Sequence, residues 1–145
     1  LGVVASALRD GAIVAGGGAI EIELARKLRE YARTKAGKEQ LALEEFAAAL
    51  ESIPEALAEN AGLDPITILA ELRKRHESGQ THDGLNLQNE TIENTLIAGI
   101  IEPVKVKLQA ISSATEVACM ILRIDDVLVS SGKKQPKENR YNGLD

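Results

Sequence analysis

The chain has 145 residues, enough for one compact domain, and its 44% hydrophobic and 27% charged residues are typical of a globular protein. A net charge of -5 argues against a general nucleic-acid binder, and no apolar run is long enough to span a membrane. A single cysteine, Cys119, excludes an internal disulfide framework and fits a reducing compartment. The chain begins without methionine inside an apolar helical pattern, which we interpret as a piece of a longer protein.

The first elements are separated by glycines. Residues 1–10 read as the end of a helix, and residues 11–14 as a short connector. Three glycines, Gly16 to Gly18, then precede a helix that begins near Ala19 and ends before Gly37. Its apolar stripe follows helical spacing and is expected to face the core. The stripe consists of Ile20, Leu24, Leu28 and Tyr31.

Three further helices are predicted in the next part of the chain. The first covers residues 38–50, and a short one opens at Pro54 and ends at Gly62. Asp64 as N-cap and Pro65 in the first turn open another, which ends near residues 78–79. The core-facing positions are Leu43, Phe46, Ala47 and Leu50 in the first helix, and Ile66, Leu69 and Leu72 in the last.

The remaining sequence alternates polar turns with apolar segments. Residues 85–87 suggest a short strand or hairpin arm, and residues 92–98 one or two helical turns. The longest helix is predicted over residues 103–122, an edge strand over 127–129, and a polar, disordered tail over 130–145. We therefore expect a mainly α fold with one or two short β-strands.

No complete active site is visible in the residue pattern. His76 and His82 lie six apart without a cysteine or carboxylate cluster at metal spacing, so both read as surface histidines. Cys119 and the serines near it lack a paired histidine. Phosphate-loop and dinucleotide-binding motifs are absent from the sequence. We predict no catalytic and no metal-binding residue, and the pattern alone supports only a helical domain.

Four blocks, in order, resemble the equatorial (ATP-binding) domain of group II chaperonins, the thermosome and TRiC family. They are IVAGGGAIEIELARKLR (residues 13–29), LAENAGLDPITILAELRKR (57–75), GIIEPVKVKLQ (99–109) and SATEVACMILRIDDVL (113–128). With GKEQL at residues 37–41, the resemblance covers residues 1–129 and corresponds to the carboxy-terminal half of that domain. Four ordered motifs at family spacing argue against an unrelated helical bundle.

Two features of these blocks suit a nucleotide. Glycines before a helix N-terminus let a ligand approach the backbone, although a plain glycine turn explains them equally well. Glu102 precedes a helix, and the helix dipole alone stabilises its charge. The resemblance implies instead that Gly17 and Gly18 approach the nucleotide and that Glu102 accepts hydrogen bonds from the ribose hydroxyls.

The resemblance assigns further residues of this chain to the nucleotide site and assigns other parts of the site to a different segment. It implies that Lys107 approaches the base or ribose, and that Leu87 and Gln88 cup the adenine. The family's phosphate-binding loop and the aspartate that positions the attacking water belong to a preceding segment. ATP or ADP with Mg is therefore expected in a full-length protein, the metal ligands lie elsewhere, and this segment alone is not expected to hydrolyse ATP.

The resemblance implies an ATP-dependent molecular chaperone in the cytoplasm. It further implies other chaperonin subunits in an eight- or ninefold double ring and unfolded polypeptide clients as partners, with no nucleic acid and no membrane. The strand expected at residues 127–129 corresponds to one that pairs with a neighbouring subunit. The alternative is a stand-alone helical interaction module, derived from a chaperonin and without ATPase activity.

Overall fold

A computed structural model describes residue 2 and residues 11–131, with side chains up to residue 124. This part of the chain contains four helices: α1 (Ala19–Ala32), α2 (Gly37–Asn60), α3 (Pro65–Glu77) and α4 (Val104–Ser131). It also contains four short strands: β1 (Ile13–Ala15), β2 (Asp83–Asn86), β3 (Thr91–Asn94) and β4 (Ile101–Pro103). The strands form two antiparallel pairs, β1 with β4 and β2 with β3. The predicted fold class, mainly α with short strands, is confirmed.

The chain divides into two compact units, Leu1–Val106 and Lys107–Asp145. The division falls inside α4, so the first three residues of α4 belong to the first unit. The first unit contains the other helices and all four strands. The separate tail over residues 130–145 stays a prediction, because the described part of the chain ends within it at Ser131.

The core of the first unit lies where α1 packs against α2 and α3. Small side chains make this packing close, since alanine keeps neighbouring helix backbones near one another. The predicted stripe on α1 was wrong as the core face: Tyr31 is 52% exposed, and Ile20, Leu24 and Leu28 are only half-buried. The buried apolar residues of the three helices are Ala19, Ile22, Ala25, Ala32, Ala47, Leu50, Pro54, Ala58 and Leu72.

The predicted break before Pro54 was wrong, because α2 runs unbroken from Gly37 to Asn60. Proline inside a helix removes one backbone hydrogen bond and costs about 3 kcal/mol. Here the ring is buried against Gly18 at the start of α1. This tertiary contact, which the local sequence does not reveal, offsets the cost.

The predicted start of helix α3 is confirmed, whereas its predicted core face was partly wrong. The Asp64 side chain accepts a hydrogen bond from the amide of Thr67 at 3.2 Å, and Pro65 occupies the first helical position. Ile66 is 76% exposed, so its assignment to the core was wrong. Leu72 and His76, one turn apart, are the buried side chains of α3.

The strands arise partly from local and partly from distant pairing. The predicted hairpin arm is confirmed as β2, which pairs with β3 in the register Leu85 to Ile92, while Leu87 lies in the turn. The helical turns predicted for residues 92–98 were wrong at β3, where β-branched residues favour a strand. The connector predicted at residues 11–14 contains the start of β1, because β4 supplies a partner from far along the chain.

Helix α4 begins at Val104, close to its predicted start, but extends to Ser131. The edge strand predicted for residues 127–129 was therefore wrong. A strand needs a neighbour for its backbone groups, whereas a helix satisfies them within the segment. The predicted helix end at residues 1–10 lies outside the described residues except at residue 2. Among the described residues, none of the helices combines the length and apolarity that crossing a membrane requires.

Candidate functional site

The three consecutive glycines form a tight turn between β1 and α1. Gly17 and Gly18 have positive φ angles of 66° and 81°, which residues with side chains rarely adopt. The Gly17 carbonyl accepts a hydrogen bond from the Leu85 amide at 2.8 Å, and a Cβ on Gly17 would lie 2.4 Å from the Leu85 oxygen. A Cβ on Gly18 would lie 2.5 Å from Cβ of Pro54. Packing within the protein thus explains these glycines, and support for a ligand must come from their surroundings.

The pairing of β1 with β4 brings Glu102 to this turn. Val14 lies opposite Glu102 in the register, and the Gly16 amide donates a hydrogen bond to the Ile100 carbonyl at 2.8 Å. Oε1 of the half-buried Glu102 is 3.3 Å from the position that a Cβ on Gly16 would take. The carboxylate therefore lies directly beside the glycine turn. We call Gly16, Gly17, Gly18 and Glu102 together the polar corner.

The polar corner combines two opposite electrostatic features. The positive end of the α1 helix dipole lies at the glycine turn, where the N-cap Gly18 has no side chain and the buried Glu21 follows in the first turn. The Glu102 carboxylate accepts hydrogen bonds, and its charge is also favoured by the start of α4 two residues later. A ligand with hydroxyl donors on one side and a negative group on the other satisfies both features.

The predicted adenine-side residues lie on the β2–β3 hairpin. Leu87 is 47% exposed, and Gln88 is also exposed while its amide donates to Oδ1 of Asn86 at 2.9 Å. The hairpin is fixed to the polar corner through Leu85, two residues before Leu87. An exposed apolar side chain thus follows the strand position that contacts Gly17.

Lys107 is the remaining predicted site residue. It is half-buried in α4 and begins the second unit. The structure therefore brings the glycine turn and Glu102 together, carries Leu87 and Gln88 on the adjoining hairpin, and has Lys107 in the other unit. Among the residues whose side chains are described, no group of three or more His, Cys, Asp or Glu could hold a metal ion.

Comparison with known proteins identifies the family. The TCP-1/cpn60 chaperonin family matches residues 1–131. The chain belongs to this family. The resemblance to group II chaperonins drawn from the sequence motifs is therefore confirmed.

The chaperonin relatives include archaeal thermosome subunits. The chain is 58% identical to thermosome subunit alpha of Archaeoglobus fulgidus over 135 residues, which cover 93% of this chain and 25% of the relative. It is 57% identical to thermosome subunit beta of Thermoplasma acidophilum over 130 residues, covering 90% of this chain and 24% of the relative. The open-state monomer of a group II chaperonin from Methanococcoides burtonii matches with a TM-score of 0.76 and 53% identity, covering 79% and 28% of the two chains. The chain spans about a quarter of the length of the curated relatives that it matches.

A buried carboxylate in the helical part of this chaperonin chain was missed from the sequence. The side chain of Glu51 on α2 is 3% exposed and lies between Arg29 and Arg73. Arg29 Nη2 donates to Oε2 at 2.6 Å, and Arg73 Nε donates to Oε1 at 2.9 Å. Burial pushes the pKa of Glu51 up, but these hydrogen bonds outweigh it and hold the pKa below its ordinary value of 4.5.

The interpretation of His76 as a surface histidine was wrong, because it is 1% exposed. Its Nδ1 lies 3.0 Å from a carboxylate oxygen of Glu23, and its Nε2 lies 2.8 Å from the Asp83 carbonyl oxygen. A hydrogen bond from Arg26, with a smaller contribution from His76, holds the pKa of Glu23 below its ordinary value. His76 thus joins α1 and α3 to β2.

Helical spacing in the sequence indicates that Glu51 and His76 lie on buried helix faces. Glu51 follows Ala47 and Leu50 on the predicted apolar face, and His76 comes one turn after Leu72. Both belong to the wall of a cleft of about 530 Å³ in the helical part. Four arginines and three glutamates line this cleft, and their near-balanced charge fits a structural role. The residues are Ile22, Arg26, Arg29, Glu30, Arg33, Glu51, Arg73, His76 and Glu77.

Proposed function

We propose that this chain is part of an ATP-dependent molecular chaperone subunit and supplies the adenine-and-ribose side of its ATP site. The observation that carries the proposal is the position of the Glu102 carboxylate, beside the glycine turn that begins α1. ATP has both kinds of group that the polar corner suits: ribose hydroxyls that donate to a carboxylate, and phosphates favoured at a helix N-terminus.

Each predicted residue has a distinct role in this proposal. Glu102 accepts hydrogen bonds from the ribose hydroxyls, and Gly17 with Gly18 lets the nucleotide approach the backbone. Leu87 offers apolar surface to the adenine, with Gln88 beside it. Lys107, whose role rests on the family motif alone, approaches the base or ribose. Magnesium ligands and catalytic residues come from other parts of the complete subunit.

The chaperone role rests on family membership. In a complete subunit, ATP binding and hydrolysis would shift a two-state ring and close it over a non-native polypeptide. We extend the proposal to a cytoplasmic, eight- or ninefold double ring in which this chain contacts neighbouring subunits. The names of the thermosome relatives support the chaperonin assignment. Apolar side chains exposed on α4, among them Leu108 and Leu122, offer a surface for contacts with the rest of a complete subunit or with its neighbours.

The proposal is tested in a full-length protein that we call the hybrid subunit. It is thermosome subunit alpha of Archaeoglobus fulgidus with its matching segment replaced by this chain, to which that segment is 58% identical. Glu102→Gln keeps the side-chain shape but removes the charged acceptor. We expect ATP affinity, measured by calorimetry, to fall at least about tenfold, as loss of a charged hydrogen bond implies. ATP-dependent refolding of a denatured client should fall with it.

Glu59→Gln on α2 is the matched control, because Glu59 is exposed and lies outside the polar corner. Its ATP affinity should equal that of the unsubstituted hybrid subunit. Equal affinity for Glu102→Gln would remove the ribose role of Glu102. A hybrid subunit that assembles but neither binds nor hydrolyses ATP would favour the interaction module without ATPase activity.

A further inference from the structure

A buried threonine that is not among the predicted site residues contacts the glycine turn directly. Thr95 lies just after β3 and is 0% exposed. Its Oγ1 is 3.0 Å from the Gly16 carbonyl oxygen and 3.1 Å from the His82 carbonyl oxygen. A buried hydroxyl needs a hydrogen-bond partner, and this one has two acceptors for its single proton.

The two acceptor carbonyls, those of His82 and Gly16, differ in the other hydrogen bonds that they accept. The His82 carbonyl already accepts the Thr95 amide at 3.0 Å. The Gly16 carbonyl also receives the Ala19 amide, but at a longer 3.3 Å. The hydroxyl proton therefore contributes more at Gly16, whose carbonyl is otherwise weakly satisfied in a buried position.

Thr95 also closes a ring of hydrogen bonds around Gly16. The Thr95 carbonyl accepts the Ile100 amide at 2.8 Å, and the Ile100 carbonyl accepts the Gly16 amide at 2.8 Å. The Gly16 carbonyl then accepts the Thr95 hydroxyl, which completes the ring. The segment from Thr95 to Ile100 thus holds Gly16 at both its N–H and its C=O. Glu102 follows Ile100 by two residues, so the same segment fixes the backbone that carries the carboxylate relative to the turn.

The methyl group of Thr95 has a separate, steric role. A Cβ added to Gly84 would lie 3.0 Å from Thr95 Cγ2 and 2.4 Å from the Gly16 oxygen. The methyl group therefore packs over β2, while the hydroxyl reaches the turn. Substitutions that remove one group and keep the other separate packing from hydrogen bonding.

We propose that Thr95 is a positioning residue, whose hydroxyl holds the glycine turn in register with Glu102 and thereby sets nucleotide affinity. The second part of this proposal rests on the proposed function. The first part concerns only the order of the turn. A purely structural threonine would change the stability of the first unit without a specific effect at the polar corner.

The test compares Thr95→Val, which keeps the methyl group, with Thr95→Ser, which keeps the hydroxyl, in the hybrid subunit. Hydrogen exchange by mass spectrometry reports on peptides that contain Gly16 and Ile100. In Thr95→Val we expect exchange there to accelerate about tenfold, as the loss of one buried hydrogen bond implies. A peptide from the middle of α2 should not change. ATP dissociation constants should rise by a similar factor in Thr95→Val, and Thr95→Ser should restore both values.

Two results would overturn the proposal. One is unchanged exchange at Gly16 and Ile100 in Thr95→Val, whatever the ATP affinity. The other is equal acceleration in both variants, which would assign the effect to the methyl group. If exchange accelerates as expected but the unsubstituted hybrid subunit binds no ATP, the proposed function is wrong, while the role of the Thr95 hydroxyl in ordering the glycine turn is supported. If Thr95→Val does not fold, Thr95→Ser still decides, because loss of its protection contradicts the role of the hydroxyl.

Discussion

The helical body of the first unit and its polar corner are held together by different means. In the helical body, α1 to α3 pack through alanines and leucines, and a buried carboxylate ties three segments through two arginines. In the polar corner, β1, β4 and the hairpin meet through backbone hydrogen bonds at glycines, with Thr95 as the side-chain link. The helical body depends mainly on side-chain chemistry, and the polar corner mainly on backbone contacts at positions that have no side chain.

This difference predicts how each region responds to substitution. A side-chain network loses one interaction at a time, and exposed ends of its arginines regain water when a partner is removed. Backbone contacts at a glycine leave no space for relaxation, because the neighbouring atom is itself backbone. We therefore expect the largest effects at the polar corner and smaller ones in the helical body.

The largest expected effect is that of Gly17→Ala. The new Cβ would lie 2.4 Å from the Leu85 oxygen, and the residue would retain a φ of 66°. A left-handed conformation costs about 1–2 kcal/mol and overpacking about 1–3, so the free energy of unfolding should fall by roughly 2–5 kcal/mol. Urea unfolding, followed by circular dichroism, measures the loss.

Gly62→Ala is the matched control for this prediction. Gly62 has a φ of 73°, but a Cβ there would meet nothing within 4 Å. It should lose only the conformational part, about 1–2 kcal/mol. Similar losses in both variants would show that the Leu85 contact relaxes, and the contrast between the two regions would fail.

The same contrast explains which parts of the fold were predictable. Helix α3 was placed correctly because its N-cap Asp64 and first-turn Pro65 are local signals. The break at Pro54 was predicted wrongly because the contact that accommodates the proline comes from Gly18, the N-cap residue of α1. Strand β1 was missed because its partner β4 lies far along the chain.

The candidate site divides in a similar way. The motifs singled out the glycine turn and Glu102 through resemblance to a family, and the structure has them side by side. Their roles toward a nucleotide stay predictions. Thr95 was not found, since a threonine between a strand and a turn has no distinctive pattern. The surface position predicted for His76 was wrong because the residue lies one turn after Leu72, on the buried face of α3.

A smaller effect is expected at Glu51, the centre of the helical body. Glu51→Gln keeps the shape but removes the charge that two arginines share. We expect a loss of about 2 kcal/mol at pH 7, as for hydrogen bonds to a charged group. This is less than for a fully buried ion pair, because both guanidinium groups are partly exposed. Glu55→Gln, at an exposed position of the same helix, should leave the stability unchanged.

The pH dependence of this loss tests its electrostatic origin. The pKa of Glu51 is lower in the folded state than its ordinary 4.5, so the unfolded state binds the proton more readily. The charge therefore contributes stability above pH 4.5, and the contribution disappears as the pH falls through the folded-state pKa. The difference between the unsubstituted chain and Glu51→Gln should shrink in acid. A difference that stays constant from pH 7 to acid would assign the loss to packing instead.

The smallest expected effect concerns Asp64, a purely local feature of the helical body. Its carboxylate accepts hydrogen bonds from the amide and hydroxyl of Thr67, and these hold the pKa of Asp64 below its ordinary value. Asp64→Ala removes the cap, and its loss of stability should be smaller than that of Glu51→Gln because the site is exposed. Asp64→Asn keeps an acceptor without the charge and should recover most of the loss. If Asp64→Asn is as unstable as Asp64→Ala in urea unfolding, the charge at the N-terminus of α3 matters more than the hydrogen bond. The N-cap Asp64, a feature visible in the local sequence, would then stabilise α3 through its charge, as Glu51 stabilises the buried network of the helical body.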